Sequence, residues 1–467
     1  MKTNMGKKLI SEKIFREYDI RGIVGETLFK DCAYLIGKGF CSLNKNKEIK
    51  SIVVCRDGRL SSPQISEFLI KGILASGINV IDIGCGPTPM LYFASMFLQV
   101  DAAFMVTGSH NPKNHNGFKI ILKNKSFFGE KLKQLYQHIV NKSFDDGFGK
   151  LSKKDVKEEY ISELIKYSGP YSNCKVIWDC GNGATGEIVS KIVKRIPGQH
   201  KVLFSEIDGN FPNHHPDPTI EKNIQHLKNY IKTEKADLGI SFDGDGDRIG
   251  VISKNGHLIS GDLLTSFLSG GILAKKPNQQ IILDIKSSEM AINSIEKQSG
   301  FTVISKTGHS LIKEKIKEIN APLAGEMSGH IFFNDKWYGF DDAIYTALRC
   351  LEEINFRNGG LEKFLNLLPE SFASPEIRVE CKEEEKFKVI ENIKHNALAD
   401  YSSSDLLLID GVRVKTKNGW WLIRASNTQA ALIARAEGNN KESLNQLLAK
   451  VKYYLKKSGI HDLGEFS

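Results

Sequence analysis

Three successive segments of this chain repeat one arrangement without repeating a sequence: an apolar run of strand length leads into a polar, glycine-bearing loop, three times in each segment. In the first, Ile52-Val53-Val54 leads into Arg56-Asp57-Gly58-Arg59, and Val80-Ile81-Asp82-Ile83 into Gly84-Cys85-Gly86-Pro87-Thr88-Pro89. Ala103-Phe104-Met105-Val106 then ends in Thr107-Gly108-Ser109-His110-Asn111-Pro112. The second segment runs Val176-Ile177-Trp178 into Asp179-Cys180-Gly181-Asn182-Gly183, Val202-Leu203-Phe204 towards Asp208-Gly209-Asn210, and Leu238-Gly239-Ile240-Ser241-Phe242 into Asp243-Gly244-Asp245-Gly246-Asp247-Arg248. The third runs Ile281-Ile282-Leu283 into Asp284-Ile285-Lys286-Ser287-Ser288, Val303-Ile304 into Lys306-Thr307-Gly308-His309, and Pro322-Leu323-Ala324 into Gly325-Glu326-Met327-Ser328-Gly329-His330. Short apolar runs bounded by turn signals and separated by helical patterns predict α/β units with functional loops at the strand ends. Three such units would set their loops around one cleft.

The tail differs. Two strand-like runs flank Arg424-Ala425-Ser426-Asn427-Thr428-Gln429, and a final helix carries Leu444, Leu447, Leu448, Val451 and Leu455 on one face, which predicts a small α+β domain. Phe144 to Gly149 reads as a linker before a helical stretch from Val156 to Tyr167, Asn255-Gly256 as a hairpin turn, and Pro369 to Pro375 as a further break. The expected domains are therefore 1–150, 151–256, 257–368 and 369–467.

At 467 residues, 41% hydrophobic and 25% charged, the chain suits a multidomain globular protein. No apolar stretch approaches a membrane span, and the start lacks the apolar core of a secretory signal. Eight scattered cysteines form no CxxC pair, which predicts free thiols in a reducing cytoplasm rather than zinc or disulfides. The net charge of +9 is spread thinly. That argues against nucleic acid and suits a small anionic substrate.

Asp243, Asp245 and Asp247 can converge on one hard cation, because the intervening glycines let the backbone bend freely; a solvated acidic turn is the other reading, against which stands the mutual repulsion of three adjacent carboxylates. An EF-hand is excluded: Arg248 holds its turn position and Lys254 its closing position. Ser109 could be a nucleophile or phosphoryl carrier, with His110 and Lys119 as acid/base or charge-stabilising groups, though Ser-His-Asn-Pro also reads as a turn. It is no nucleophile elbow, which needs G-x-S-x-G. Glu326, Ser328 and His330 suit sugar hydroxyls, or a polar loop stabilising itself. Arg424, Ser426, Asn427 and Thr428 have the donors to grip a phosphate monoester, and a plain turn is the other reading. Gly181-Asn182-Gly183-Ala184-Thr185-Gly186 fits the dinucleotide fingerprint, with Glu206 or Asp208 downstream. As one of a series of similar loops it reads better as a tight turn packing helix on strand, with a dehydrogenase as the alternative.

Taken together, TGSHNP, DGDGDR, GEMSGH and RASNT, in that order, resemble the serine, metal, sugar and phosphate loops of the α-D-phosphohexomutase superfamily, most closely its bacterial phosphomannomutase/phosphoglucomutase branch. Tyr18-Asp19-Ile20-Arg21-Gly22, Asn116-Gly117-Phe118-Lys119 and Trp337 to Asp342 also match, and Cys55 stands where the family usually has glycine. The resemblance implies three related α/β domains and a mobile C-terminal cap of the TATA-binding-protein-like α+β kind, around a central cleft. It implies reversible transfer of phosphate between the 1- and 6-positions of mannose or glucose, through phosphorylated Ser109 and a hexose 1,6-bisphosphate. The implied catalytic set is Ser109, Lys119, His110, His330, Arg248 and Arg21, with one Mg²⁺ on Ser109, Asp243, Asp245 and Asp247. Tyr18, Lys286, Gly308, His309, Glu326, Ser328, His330, Arg424, Ser426, Asn427 and Thr428 would bind substrate. Glucose 1,6-bisphosphate or mannose 1,6-bisphosphate would activate. The expected partner is a phosphosugar, with neither nucleic acid nor membrane, for a cytoplasmic monomer or dimer. Phosphoglucosamine mutase is the nearest alternative, although such enzymes more often read TASHNP; a non-catalytic phosphosugar-binding protein is the alternative of another class.

Overall fold

The computed structural model of the chain describes residues 10–141, 144–427 and 429–464. The first sheet holds β1 (Ile20–Ile23), β2 (Ser51–Arg56), β3 (Asn79–Cys85), β4 (Ala102–Val106), β5 (His115–Leu122), β6 (Lys125–Ser126) and β7 (Leu151–Lys153). Its order is β1-β5-β4-β2-β3-β7, with β6 paired to β5. The edge strand β7 lies past the division expected at residue 150. The expected linker is also tied to the first domain: Gly147 and Gly149 donate their N–H groups to Ala75 O and Leu74 O, at the end of the helix Ser62–Leu74, at 2.9 and 2.8 Å.

The second sheet holds β8 (Lys175–Asp179), β9 (Gln199–Leu203), β10 (Leu238–Phe242), β11 (Ile249–Ser253) and β12 (Leu258–Ile259), in the order β12-β11-β10-β8-β9. The third holds β13 (Gln280–Asp284), β14 (Phe301–Ser305), β15 (Leu323–Gly325) and β16 (Ile331–Phe333), in the order β14-β13-β15-β16. One relation recurs in all three. A buried strand lies parallel to the one that precedes it in the sheet, then turns back into an antiparallel partner: β4 into β5, β10 into β11, and β15 into β16. The serine loop, the aspartate loop and the Glu326–His330 loop are those three turns. They occupy one equivalent position in three related units, a correspondence finer than the strand-end placement expected from sequence.

The fourth sheet is antiparallel, from β17 (Phe372–Ala373), β18 (Ile377–Glu380), β19 (Leu406–Leu407), β20 (Val412–Thr416), β21 (Gly419–Ala425) and β22 (Ala431–Gly438). The last helix, Lys441–Lys457, buries Leu447, Val451 and Leu455 of its expected apolar face, with Leu444 and Leu448 half-covered. One core runs through the three α/β units, joining Met105, Trp178, Phe242, Leu283 and Phe333, whereas the fourth domain has its own around Val379, Trp421 and Leu432. The fourth is anchored on the third: Trp420 and Leu422 pack on Ile285, and Arg413 Nη1 donates to Ile285 O and Ser287 O at 2.7 and 2.8 Å.

Asp342 clamps the second unit to the third. Its Oδ1 accepts the Tyr345 N–H at 2.9 Å, starting the helix Ala343–Phe356, and its Oδ2 accepts the Tyr160 hydroxyl at 2.7 Å. Burial outweighs these donors and pushes the Asp342 carboxyl up to about 7. The folded chain therefore keeps a proton that the unfolded chain loses near pH 4. The resulting stability is complete below about pH 4 and is lost as pH rises through 7. Asp342→Asn keeps an acceptor for Tyr345 but cannot titrate. Urea unfolding should show the variant gaining on the wild type by about 2 kcal/mol between pH 5 and pH 8; parallel pH profiles would refute this.

Candidate active site

Ser109 is buried and has a φ of +50°, a left-handed conformation uncommon outside glycine. Arg59 holds it there. The guanidinium is 1% exposed and uses all five of its N–H groups: Nη2 donates to Ser109 O at 2.7 Å and Asn111 O at 2.6 Å, Nη1 to Pro112 O at 2.6 Å and His115 O at 3.1 Å, and Nε to Asp57 Oδ2 at 3.2 Å. Asp57 also accepts from Ser62 Oγ, Thr107 Oγ1 and the Gly108 N–H, and Thr107 Oγ1 accepts the Ser109 N–H at 2.8 Å. A Cβ on Gly108 would sit 2.5 Å from Arg59 Cζ, which is the physical reason for glycine before this serine. From the second domain, His215 Nε2 donates to His110 O at 2.6 Å.

The Ser109 hydroxyl donates to Asp243 Oδ2 at 2.9 Å and lies 3.1 Å from His110 Nδ1. Asp243 Oδ1 accepts the N–H groups of Gly246, Asp247 and Arg248 at 3.0 to 3.2 Å, so one carboxylate oxygen shapes the loop while the other faces the serine. Gly244 is required here, because a Cβ would press to 2.5 Å from Ser109 O. Asp245 and Asp247 are fully buried, each with an Oδ1 that finds no hydrogen-bond partner. Their Oδ2 atoms both accept from Lys119 Nζ, at 2.7 Å for Asp245, and Thr88 Oγ1 adds a bond to Asp245 at 2.5 Å. Burial, and then the charges of Asp245 and Asp247, drive the Asp243 carboxyl well above its ordinary range. Three buried carboxylates within 4.8 Å of one another, two with unsatisfied oxygens, are a donor set that fits a hard divalent cation.

The sugar-type loop closes over this nest. Glu326 Oε1 accepts the Gly308 N–H at 2.7 Å, and its Oε2 lies 3.1 Å from His330 Nδ1, which is also 3.2 Å from Ser328 Oγ. His330 Nε2 is 3.4 Å from Asp247 Oδ1 and 3.3 Å from Arg248 Nε. Burial and Arg248 oppose protonation of His330, but Asp247 and Glu326 win and raise it to about 9. An imidazolium has no acceptor to offer, so its contact with Arg248 is a like-charge approach held by the carboxylates around it, not a hydrogen bond. His309 stacks on His330 with ring centroids 5.6 Å apart. Burial and then Lys313 hold it well below the usual histidine range, so it is neutral. Burial, Arg248 and Arg21 do the same to His110. Arg21 Nη1 donates to Asn111 Oδ1 at 2.9 Å and its Nε to Asp19 at 2.7 Å, which places it at the serine loop.

The fourth domain reaches the cleft through its arginine loop. Arg424 Nε donates to Asp410 Oδ2 at 3.1 Å, while its Nη2 is buried with no partner. Asn427 Nδ2 donates to the Tyr18 hydroxyl at 2.5 Å, and that hydroxyl donates to Thr307 O at 2.6 Å. Lys286 Nζ is paired with Glu376 of the fourth domain at 3.2 Å. Thr428 lies outside the described residues. Sequence reasoning missed Arg59, Thr88, His215 and Lys386, whose buried ammonium donates to Ser426 O at 2.7 Å and Gln429 O at 3.2 Å. Arg59 and Thr88 stood in loops already marked as polar strand ends, which was the available signal. In the G-x-G-x-x-G stretch, a Cβ on Gly183 would meet Gly244 O at 3.0 Å and one on Gly186 would meet Ser205 O at 1.9 Å. Gly183 thus serves close packing against the aspartate loop, and Gly186, the first residue of a helix, packs against the chain that follows β9, as a tight turn joining strand and helix requires.

Three α/β units with their loops on one cleft, a capping α+β domain and a carboxylate nest beside a buried serine define an enzyme of the metal-assisted phosphotransferase class. The chain matches phosphoglucomutase/phosphomannomutase alpha/beta/alpha domain I over residues 12–146, domain II over 158–256, domain III over 260–372, and the C-terminal domain over 376–452. It is 39% identical over 438 residues to a phosphomannomutase/phosphoglucomutase of Pseudomonas putida, covering 94% of each chain. It is 37% identical over 446 residues to a phosphoglucomutase of Neisseria meningitidis, covering 95% of this chain and 96% of that one. The structure of a phosphoglucomutase/phosphomannomutase family protein from Burkholderia thailandensis matches with a TM-score of 0.90 at 38% identity, covering 96% of this chain and 98% of that one. The chain belongs to the phosphoglucomutase/phosphomannomutase family, whose members catalyse phosphoryl transfer on hexose phosphates. No helix among the described residues is long and apolar enough to cross a membrane.

Arg59→Lys keeps a cation beside Asp57 but cannot reproduce five directed bonds. The fold, followed by circular dichroism, should persist while kcat falls by about 10²-fold, the scale of a small misplacement of reacting groups. An unchanged kcat would mean that the serine loop holds itself.

Proposed function

We propose that this enzyme interconverts the 1- and 6-phosphates of glucose and mannose by way of phosphorylated Ser109 and a hexose 1,6-bisphosphate. The observation that carries the reading is the Ser109 hydroxyl lying 2.9 Å from a carboxylate of the buried aspartate nest. Asp243, Asp245 and Asp247, together with an oxygen on Ser109, are the residues that would hold one Mg²⁺. Its service there is to offset charge on the phosphoryl oxygens as they move between donor and acceptor.

In the first half-reaction the bond between phosphorus and Ser109 Oγ breaks as a bond forms to the substrate's free hydroxyl. The hydroxyl proton leaves to a side chain, and the serine oxygen regains one. His110 Nδ1, 3.1 Å from Ser109 Oγ and neutral in the unphosphorylated enzyme, is placed to take the serine proton when Ser109 attacks the bisphosphate and to return it when the serine oxygen is next the leaving group. His330 is the group for the hydroxyl proton, taking it as its own Nδ1 proton passes to Glu326, 3.1 Å away. Lys119, Arg248 and Arg21 supply fixed positive charge around the transferring group. The substrate's own phosphate docks on Arg424, Ser426, Asn427 and Thr428, and the partnerless Nη2 of Arg424 is a donor ready for it. Glu326 and Ser328 hold sugar hydroxyls, with Tyr18, Lys286, Gly308 and His309 completing the wall.

The bisphosphate must turn end for end before its other phosphate returns to Ser109. A fourth domain with its own core, anchored on the third and touching the first through the Asn427–Tyr18 bond, suits a cap that opens for that turn and then excludes water. Escape of the bisphosphate leaves Ser109 without phosphate, so added glucose 1,6-bisphosphate or mannose 1,6-bisphosphate should restore activity. All the cleft loops come from one chain, and its eight cysteines are free, as suits the reducing cytoplasm.

Ser109→Ala should lower turnover of glucose 1-phosphate and mannose 1-phosphate by about 10³-fold or more. Near-normal activity would sink the carrier role, and preference for glucosamine 1-phosphate in the wild type would reassign the substrate. Asp245→Asn should raise the magnesium concentration for half-maximal rate by at least about tenfold, the low end for losing even an outer partner of a metal site. An unchanged titration would remove the aspartate loop from metal binding.

A further inference from the structure

Behind the cleft, where the first domain meets the third, lies a pocket of about 470 Å³ between β5–β6 and the helix His309–Ile319. Its lining shares no residue with the serine, aspartate, sugar or phosphate loops. Tyr92, Ile121 and Phe340 give it an apolar wall, with the Tyr92 and Phe340 rings edge to face at 5.4 Å. Three lysines, Lys125, Lys313 and Lys317, converge on it. Their charges are unevenly answered. Lys313 is paired with Asp341 at 2.9 Å, and of the two carboxylates on the rim Glu318 is taken by Lys315 at 2.7 Å. Among the described residues neither Lys125 nor Lys317 has a carboxylate within ion-pair distance, and Lys317 donates to the Asn124 carbonyl instead. Burial, then the neighbouring Lys125 and Lys313, pull the Lys317 ammonium below its ordinary value, and the carboxylate of Glu314 on the same rim offsets this only in part.

Lys313 forms both the back of this pocket and a support of the cleft. Nine-tenths buried, it donates to Asp341 Oδ1 at 2.9 Å, His309 Nδ1 at 3.2 Å and the Tyr92 hydroxyl oxygen at 3.3 Å. An ammonium has three protons and no acceptor, so all its capacity is in use. Because it only donates, His309 Nδ1 must accept, which puts the proton of the neutral ring on Nε2. An anion arriving in the pocket competes for one of those three bonds. If His309 loses its share, Nδ1 is free to take the proton and turn it towards Asp341 Oδ2, 3.5 Å away. That would reset the donor pattern of a ring stacked on His330.

We infer that this pocket is a second ligand site, for a small molecule joining a flat apolar body to an anionic group, and that its occupant acts on the cleft through Lys313 and His309. The binding claim is independent of the proposed reaction; the coupling claim rests on His309 lining the cleft. The probe is 1-naphthyl phosphate, titrated by calorimetry into the full chain with magnesium and saturating glucose 1-phosphate. One equivalent should bind with the cleft filled. Its affinity should fall at least tenfold in the double variant Lys125→Met/Lys317→Met, whose basal kcat should stay within twofold of wild type. The bound probe should change the wild-type kcat at saturating substrate by twofold or more and leave that of the variant unaltered. No binding, binding that glucose 1-phosphate competes away, or equal affinity in the variant would overturn the site. Binding with an unchanged kcat would overturn the coupling alone, and a chain without mutase activity would still report on the site.

Discussion

The cleft depends on one buried ion pair, Arg59 with Asp57, at the end of a strand that carries no reacting group. Taking two charges out of water is costly, and such a pair is tolerated only when the remaining donors and acceptors are filled. Here they are filled by the serine loop. Four backbone carbonyls on one side and two hydroxyls and an amide on the other exchange water for the pair, so the loop cannot relax without leaving a charge unpaired. Ser109 thereby inherits the position of β2 in the sheet, and its left-handed backbone is maintained from outside. The aspartate loop then closes to backbone contact because Gly244 has no side chain to prevent it.

The three related units explain why the chemistry converges. In each, the polar loop is the turn at which a buried parallel strand reverses into an antiparallel neighbour. With one continuous core beneath the units, equivalent turns come to face one another. A hydroxyl from the first turn, carboxylates from the second and a carboxylate–imidazole pair from the third meet within a few ångströms. Lys119 lies on the strand after the first turn, and its ammonium ties that strand to the second turn.

What could be read in the sequence was what is contiguous. The aspartates with their glycines, the serine among turn residues and the arginine loop each declare a local chemistry within six residues. The strands were equally legible, since apolar runs bounded by glycine and aspartate have few other uses. What stayed hidden depends on distance along the chain. Arg59 acts on a loop fifty residues away, Thr88 on Asp245, His215 on His110 and Lys386 on Ser426; none carries a local mark separating it from an ordinary polar residue. The expected linker at Phe144–Gly149 looked free because its partners, Leu74 and Ala75, are backbone carbonyls, which composition does not reveal. The G-x-G-x-x-G stretch shows the converse, a local pattern whose glycines answer to packing alone.

Tyr18 has a consequence for the cap. Its hydroxyl gives its proton to the third domain at Thr307 and receives one from the fourth at Asn427. If the cap swings away, the donated bond survives and only the received one is exchanged for water. A neutral hydrogen bond traded in this way is worth about 0.5–1.5 kcal/mol, so this contact alone biases open against closed by about tenfold at most. The first domain is therefore joined to the fourth here by a bond weak enough to break and re-form readily. The phenol works as a detent, marking the shut position without locking it.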